Sequence, residues 1–337
     1  MPAVRNTVRN TVRNPVRRRT LLAVAALCAM PSLTVAADKY PSKPIRMVVA
    51  FAAGGANDTI ARILAKELQQ SMGQSVVVEN RGGAGGLIGA DMVAKATPDG
   101  YTLLLGSAGA QTIMPALTRK MPYDPRTGLA PVSLVAEAAN VLMVRTGLPF
   151  NNVKELLAGA KQKPGAYTYG SSGNGTTLHV SGALMEKLGG IDLLHIPYKG
   201  NGPAMNDLYA GNVDMVFGSV PVAMAALKTG KAKILAVTTK KRIPSLPNVP
   251  TMAEAGVPGY DFSSWYGLFT TGGTDPAIVE QLARETAKAL AKPDVVAALA
   301  QQGVEPESST PAAFRARIND ELVRWERDVK TMKIAAE

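Results

Sequence analysis

Cysteine is almost absent from this chain of 337 residues: Cys28 is the only one. It lies in the N-terminal stretch that reads as an export signal, so the segment beyond it has no thiol, disulfide or cysteine metal site to offer. Histidine is nearly as scarce, with His179 and His195 alone, and His-Glu-x-x-His does not occur, which leaves thiol enzymes and zinc hydrolases without their residues. Aromatic residues are only 5% of the chain. No apolar run reaches the roughly 20 residues that span a bilayer. The nucleotide fingerprints are missing too. In the glycine loop at 82–89, counting G-x-G-x-x-G from Gly83 and Gly85 ends on Ile88, and no Gly-Lys-Ser/Thr follows any glycine loop. Gly170-Ser171-Ser172-Gly173 falls short of a nucleophile elbow, because the G-x-S-x-G register puts Asn174 where glycine belongs.

What the N-terminus does contain is an export signature over residues 1–37. Arg5, Arg9, Arg13, Arg17, Arg18 and Arg19 stand there without an acid, followed by an apolar core from Leu21 to Met30 and small residues at Val35-Ala36-Ala37. Arg18-Arg19 also permits a twin-arginine route. Cleavage after this segment would place the protein in the periplasm and would lower the formal charge from +11 to +5. The remaining basic residues are scattered among acids, without the aromatic interleaving of a nucleic-acid surface. About 300 residues of ordinary apolar content suffice for two domains.

Short apolar runs alternate with helical patterns, the grammar of α/β layering with mainly parallel sheets. The run Ile45 to Phe51 reads as a strand that ends in Ala52-Ala53-Gly54-Gly55-Ala56-Asn57-Asp58. A helix follows with Asp58 as its expected N-cap and Ile60, Ile63, Leu64, Leu68 and Met72 on one face. A small-residue turn at a helix start aims unpaired N–H groups and the positive dipole end at whatever lies above the strand, which makes it a cradle for an anion. Gly170 to Thr177 repeats that motif in the second half of the chain, again between a strand and a helix. His179 reads as a packing residue and Trp265 and Tyr266 as core or hinge residues, while Lys199 could neutralise a carboxylate. These loops suit a small polar ligand; a secreted enzyme acting on a carboxylate or ester, using Ser171 or Ser172 with His179, is the alternative.

Six segments carry a resemblance to a known family. They are Tyr40-Pro41-Ser42-Lys43-Pro44-Ile45-Arg46, Ala53-Gly54-Gly55-x-x-Asp58, Val78-Glu79-Asn80-Arg81-Gly82-Gly83-Ala84-Gly85-Gly86, Pro98-Asp99-Gly100-Tyr101-Thr102-Leu103, Ser172-Gly173-x-Gly175-Thr176-x-x-His179 and Pro197-Tyr198-Lys199-Gly200. With the export signal, they make the chain resemble the Bug, or TctC, family: extracytoplasmic solute-binding receptors of tripartite tricarboxylate transporters. Two positions depart from the family pattern. Members often have proline at or beside Ala53, and many carry Asp-Ser where Gly218-Ser219 stands.

The resemblance implies a type II periplasmic-binding-protein fold, with two α/β lobes joined by two crossing strands. The expected crossings are near Ser133 to Glu137 and Ser263 to Phe269. That gives lobe one as 38–136 plus 263–337 and lobe two as 137–262. It further implies no catalysis and no cofactor or metal. The expected partners are a small carboxylate and a membrane permease, with no nucleic acid and with the protein acting as a monomer. The ligand-binding set it implies comprises Phe51, Ala53, Gly54, Gly55, Ala56, Asn57 and Ser107 from one lobe. Ser171, Gly173, Thr176, Thr177, Tyr198, Lys199 and Ser219 come from the other.

Overall fold

The computed structural model describes residues 1–3, 40–51, 53, 54, 56–198, 200–301, 303–332 and 334. Residues 4–37 of the export-signal segment, Gly55 and Lys199 therefore lie outside the described residues. Eleven strands occur among those residues: β1 (Ile45–Val49), β2 (Val76–Asn80), β3 (Thr102–Ser107), β4 (Leu129–Ala138), β5 (Asn140–Arg145), β6 (Thr168–Ser171), β7 (Leu194–Pro197), β8 (Met215–Ser219), β9 (Ala232–Val237), β10 (Ser264–Thr271) and β11 (Val304–Pro306). The helices are α1 (Ala56–Met72), α2 (Leu87–Ala94), α3 (Met114–Leu117), α4 (Val153–Gln162), α5 (Thr177–Gly189), α6 (Asn201–Ala210), α7 (Val220–Thr229), α8 (Pro276–Leu290), α9 (Pro293–Gln301) and α10 (Pro311–Thr331). A π-helical turn, Gly109–Ile113, leads into α3.

The strands form two sheets, one ordered β11-β4-β10-β3-β1-β2 and one ordered β7-β6-β8-β5-β9. Each has a parallel βαβ centre, β2-β1-β3 in the first and β7-β6-β8 in the second. The expectation of mainly parallel sheets holds only for these centres. The strands β4, β10 and β11 join the first sheet antiparallel, and β5 does so in the second. The reason is topological: β4 ends at Ala138 in the first sheet and β5 begins at Asn140 in the second, so one nearly continuous strand serves both. The chain comes back through 238–263, where Phe262 N–H donates to Thr238 O, before β10 starts at Ser264.

Asn140 fixes the outgoing crossing. Its Nδ2 donates to Ser181 Oγ on α5 at 2.9 Å, its Oδ1 accepts from Ser264 Oγ at 3.2 Å, and its N–H reaches Thr238 Oγ1 at 2.9 Å. A buried amide with these partners ties both crossings to the second sheet, and removing it would strand several buried polar groups. Helix α10 also serves both sheets. Its Phe314, Ile318 and Leu322 pack with Trp265 and Phe269 of the first, whereas Trp325 and Val329 join the core built on Leu142, Tyr169 and Phe217 of the second. The C-terminal helix thus spans from one core to the other instead of staying with one.

Candidate functional site

Parallel strands deliver their C-terminal ends, and the helices that follow, to one edge of each sheet, where a ligand site is expected in open α/β sheets. Here both edges face a shared cavity of about 550 Å³. Phe51, Gly54, Ala56 and Asn57 line it after β1 and Ser107 after β3. Ser172, Thr176 and Thr177 follow β6, Asn201 follows β7 and Ser219 follows β8. The starts of α1, α5, α6 and α7 therefore all open onto one space. Among the described residues lining it there is no Asp, Glu, Lys, Arg or His.

The turn after β1 is held from behind by Asp58. This carboxylate accepts from Gly54 N–H at 3.0 Å, Asn80 Nδ2 at 3.0 Å and Arg62 Nε at 3.1 Å, and Asn80 Nδ2 also donates to Phe51 O at 3.1 Å. The Arg62 hydrogen bond, helped by those of Gly54 and Asn80, outweighs burial and keeps the carboxyl below its ordinary range. Asp58 is not the N-cap expected from the sequence: the helix begins at Ala56, and Asp58 works from inside the first turn. The Gly54 amide is consequently spent on Asp58 rather than left free, and the N–H groups at Ala56 and Asn57 remain at the helix start.

Behind the second loop lie the two histidines, stacked with ring centroids 3.8 Å apart and 7° between planes. His179 Nδ1 accepts from Gly175 N–H at 3.1 Å, so that nitrogen carries no proton, and His195 Nε2 lies 2.7 Å from Ser171 Oγ. Burial lowers both, His179 to about 4 and His195 to about 3, the latter helped by its neighbour's charge. Ser171 is fully buried and its Oγ also accepts from Gly173 N–H at 3.1 Å. Thr176 is the N-cap of α5; its Oγ1 accepts from His179 N–H and donates to Gly173 O at 2.7 Å. By contrast, the caps of α6 and α7, Gly200 and Ser219, make no side-chain cap bond, leaving their first-turn donors to the cavity.

Of the site residues expected from sequence, Phe51, Gly54, Ala56, Asn57, Ser107, Thr176, Thr177 and Ser219 line the cavity. Ser171 and Gly173 do not; they form the support beneath the loop. Tyr198 also lies off the cavity wall, its hydroxyl donating to Asp207 Oδ2 at 2.6 Å. Ala53 is exposed in the turn and absent from the lining. Residues that reasoning from sequence did not select include Asn140, Asn201, Met114, Val220, Val222, Ser264 and Val304, and Tyr266 was read only as core or hinge. The free Asn-Gly start at 201–202, which repeats the small-residue helix opening, was the one available signal.

Two contacts join the halves across the cavity. At Gly175, after β6, a Cβ would stand 2.7 Å from Met114 Sδ on the other side. At Gly303, before β11, it would stand 2.4 Å from Val220 Cβ at the start of α7. Both glycines also have positive φ, +68° and +67°, so larger residues are excluded by backbone and by space.

Two sheets with parallel centres, two crossings and a neutral cavity between the strand ends define a two-lobed solute-binding protein of the type II periplasmic class. The model of the tripartite tricarboxylate transporter family receptor matches residues 60–334, and the chain belongs to this TctC family. It is 40% identical over 292 residues to Protein BugT of Bordetella pertussis, covering 86% of this chain and 90% of that protein. The periplasmic binding protein BugD matches at TM-score 0.77 with 36% identity, over 88% of this chain and 100% of that one. A protein of R. palustris solved with adipate matches at TM-score 0.80 with 38% identity, over 88% of this chain and 99% of the other. These relatives are solute-binding receptors rather than enzymes. Ser171 is buried and His195 half-buried, and neither lines the cavity.

Proposed function

We propose that the protein captures a small carboxylate in this cavity and presents it to the membrane permease of a tripartite transporter, working as a monomer in the periplasm after its signal is removed. The observation that carries the reading is a cavity walled by four helix starts and by no charged side chain among the described residues. Helix N-termini offer oriented donors and partial positive charge to an anion. Being neutral and fixed by the fold, they leave no desolvated charge in the empty site, which a buried arginine would do. A homologue solved with adipate supports an acid as the ligand class.

The lobes in this proposal are 38–136 plus 263–337 and 137–262, with movement concentrated where the strands change sheet. Ligand favours closure only by as much as it binds the closed form better than the open one. The carboxylate would rest on first-turn donors of α1 from one lobe and of α5, α6 and α7 from the other, with the hydroxyls of Ser107, Thr177 and Ser219 adding direction. A thermal-shift screen over small carboxylates, sugars and cations tests this: an acid at 100 times its Kd adds about 2.7 kcal/mol. Recovery of that acid unchanged after incubation is expected. Stabilisation by sugars or cations alone would refute the reading.

A further inference from the structure

One sulfur atom sits where the two halves of the cavity meet. Met114 opens α3 directly after the π-helical turn Gly109–Ile113, and it is the only methionine among the described residues that lines the cavity. Its thioether lies between two glycines that follow strands of different sheets. A Cβ on Gly85, after β2, would stand 3.1 Å from Sδ and 3.3 Å from Cε, and one on Gly175, after β6, would stand 2.7 Å from Sδ. The π-helical turn approaches the same loop, since a Cβ on Gly109 would be 3.9 Å from Gly175 O and from the backbone nitrogen of Thr177. Gly175 immediately precedes Thr176, the N-cap of α5, and Thr177, its first residue. The sulfur therefore packs against the backbone that aims the start of α5 into the cavity.

A thioether is a flexible apolar filler, whereas its sulfoxide is polar and carries an extra oxygen. Between Gly85 and Gly175 that oxygen has little room, because even a Cβ on either glycine would crowd the sulfur. The other methionines offer no such position. Met47, Met143 and Met215 are among those fully buried in the cores, and Met72, Met92 and Met121 are half-buried against core residues. Met224 is exposed on α7 but lies off the cavity wall. Met114 is half-buried, and the cavity it lines is a route for a small oxidant.

We propose that Met114 is an oxidation site through which a peroxide switches ligand binding off. The peroxide O–O bond breaks, one oxygen bonds to the sulfur, the sulfur gives up two electrons, and the other oxygen leaves as water. The sulfoxide pushes the Gly175 loop away and shifts the start of α5 off the ligand. This effect on binding rests on the carboxylate reading above. The test treats the mature protein with hydrogen peroxide, locates its sulfoxides by peptide mass spectrometry and reads affinity by calorimetric titration. The probe is the tightest binder among adipate, malate, citrate, benzoate and nicotinate before treatment. Conversion of Met114 should lower affinity at least tenfold, and the two methionine sulfoxide reductases, one for each epimer, should restore it. Met114→Leu, compared with its own untreated sample, should lose almost none of its affinity to peroxide, whereas Met224→Leu should lose as much as wild type. Met114 left unoxidised when Met224 is converted, full affinity after Met114 is converted, or an equal loss in Met114→Leu would overturn the inference and leave the carboxylate reading in place. Lack of binding by all five acids and by the wider acid screen would remove both.

Discussion

Acidification should weaken this protein through two histidines that lie off the cavity wall, and the size of the effect follows from their burial. His179 falls from 6.5 to about 4 on folding and His195 from 6.5 to about 3, because burial disfavours the charged rings and each faces the other. A depressed histidine contributes stability that is complete above the unfolded value of 6.5. It is lost as pH falls toward the folded values, since the unfolded chain takes up protons that the folded one refuses. Between pH 7.5 and 5.0 the well-buried His179 should cost about 2 kcal/mol, and the more accessible His195, discounted for solvent, about 1 kcal/mol. The perturbation that isolates this contribution is His179→Asn, whose side chain can still accept the Gly175 N–H but does not titrate. Urea unfolding of both proteins at the two pH values should show the variant losing about 2 kcal/mol less than wild type on acidification. Carboxylates contribute equally to both proteins and cancel. Equal losses in the two would refute the argument that the buried stack is held neutral.

Two further substitutions probe the walls of the cavity. Gly303→Ala should push the lobes apart at Val220, lowering ligand affinity at least tenfold, equivalent to 1.4 kcal/mol of binding. Unfolding of the unliganded protein should lose about 1–2 kcal/mol from the positive φ and more from the crowding against Val220 and Pro221; unchanged affinity by titration would show that the contact does not matter to closure. Asp58→Asn should cost about 1–2 kcal/mol in urea unfolding, by weakening the bonds to Gly54 and Arg62. It should also weaken ligand binding through the turn; tighter binding of a carboxylate would instead mean that Asp58 faces the ligand and repels it.

Much of the local architecture was legible because it depends on neighbours in sequence. The apolar run at Ile45 with a small-residue turn and a periodic helix behind it can form little other than strand, turn and helix, and the same holds at Gly170 to Thr177. Helices fit between the later strands as well, but the starts of α6 and α7, Asn201-Gly202-Pro203 and Val220-Pro221, carry no strong signal of a site. They are helix starts, where proline and small residues are tolerated because the first N–H groups are unpaired in any case. Ser171, chosen as a ligand residue, illustrates the opposite limit. A serine in a glycine loop can face a cavity or its own support, and His195, 24 positions away, decides which.

By itself the sequence determined the alternation of strands and helices, the neutral small-residue turns, the lack of thiol and zinc chemistry and, through six motifs, the receptor family. Tertiary structure alone decided which of those turns share a cavity. Sheet order joins residues as distant as Gly303 and Val220 and brings Asn57, Ser107, Thr177 and Ser219 to one wall-to-wall space. The physical reason is that periodicity and capping act within a few residues, whereas a site between two sheets is assembled from strand ends whose nearness is fixed by long-range pairing.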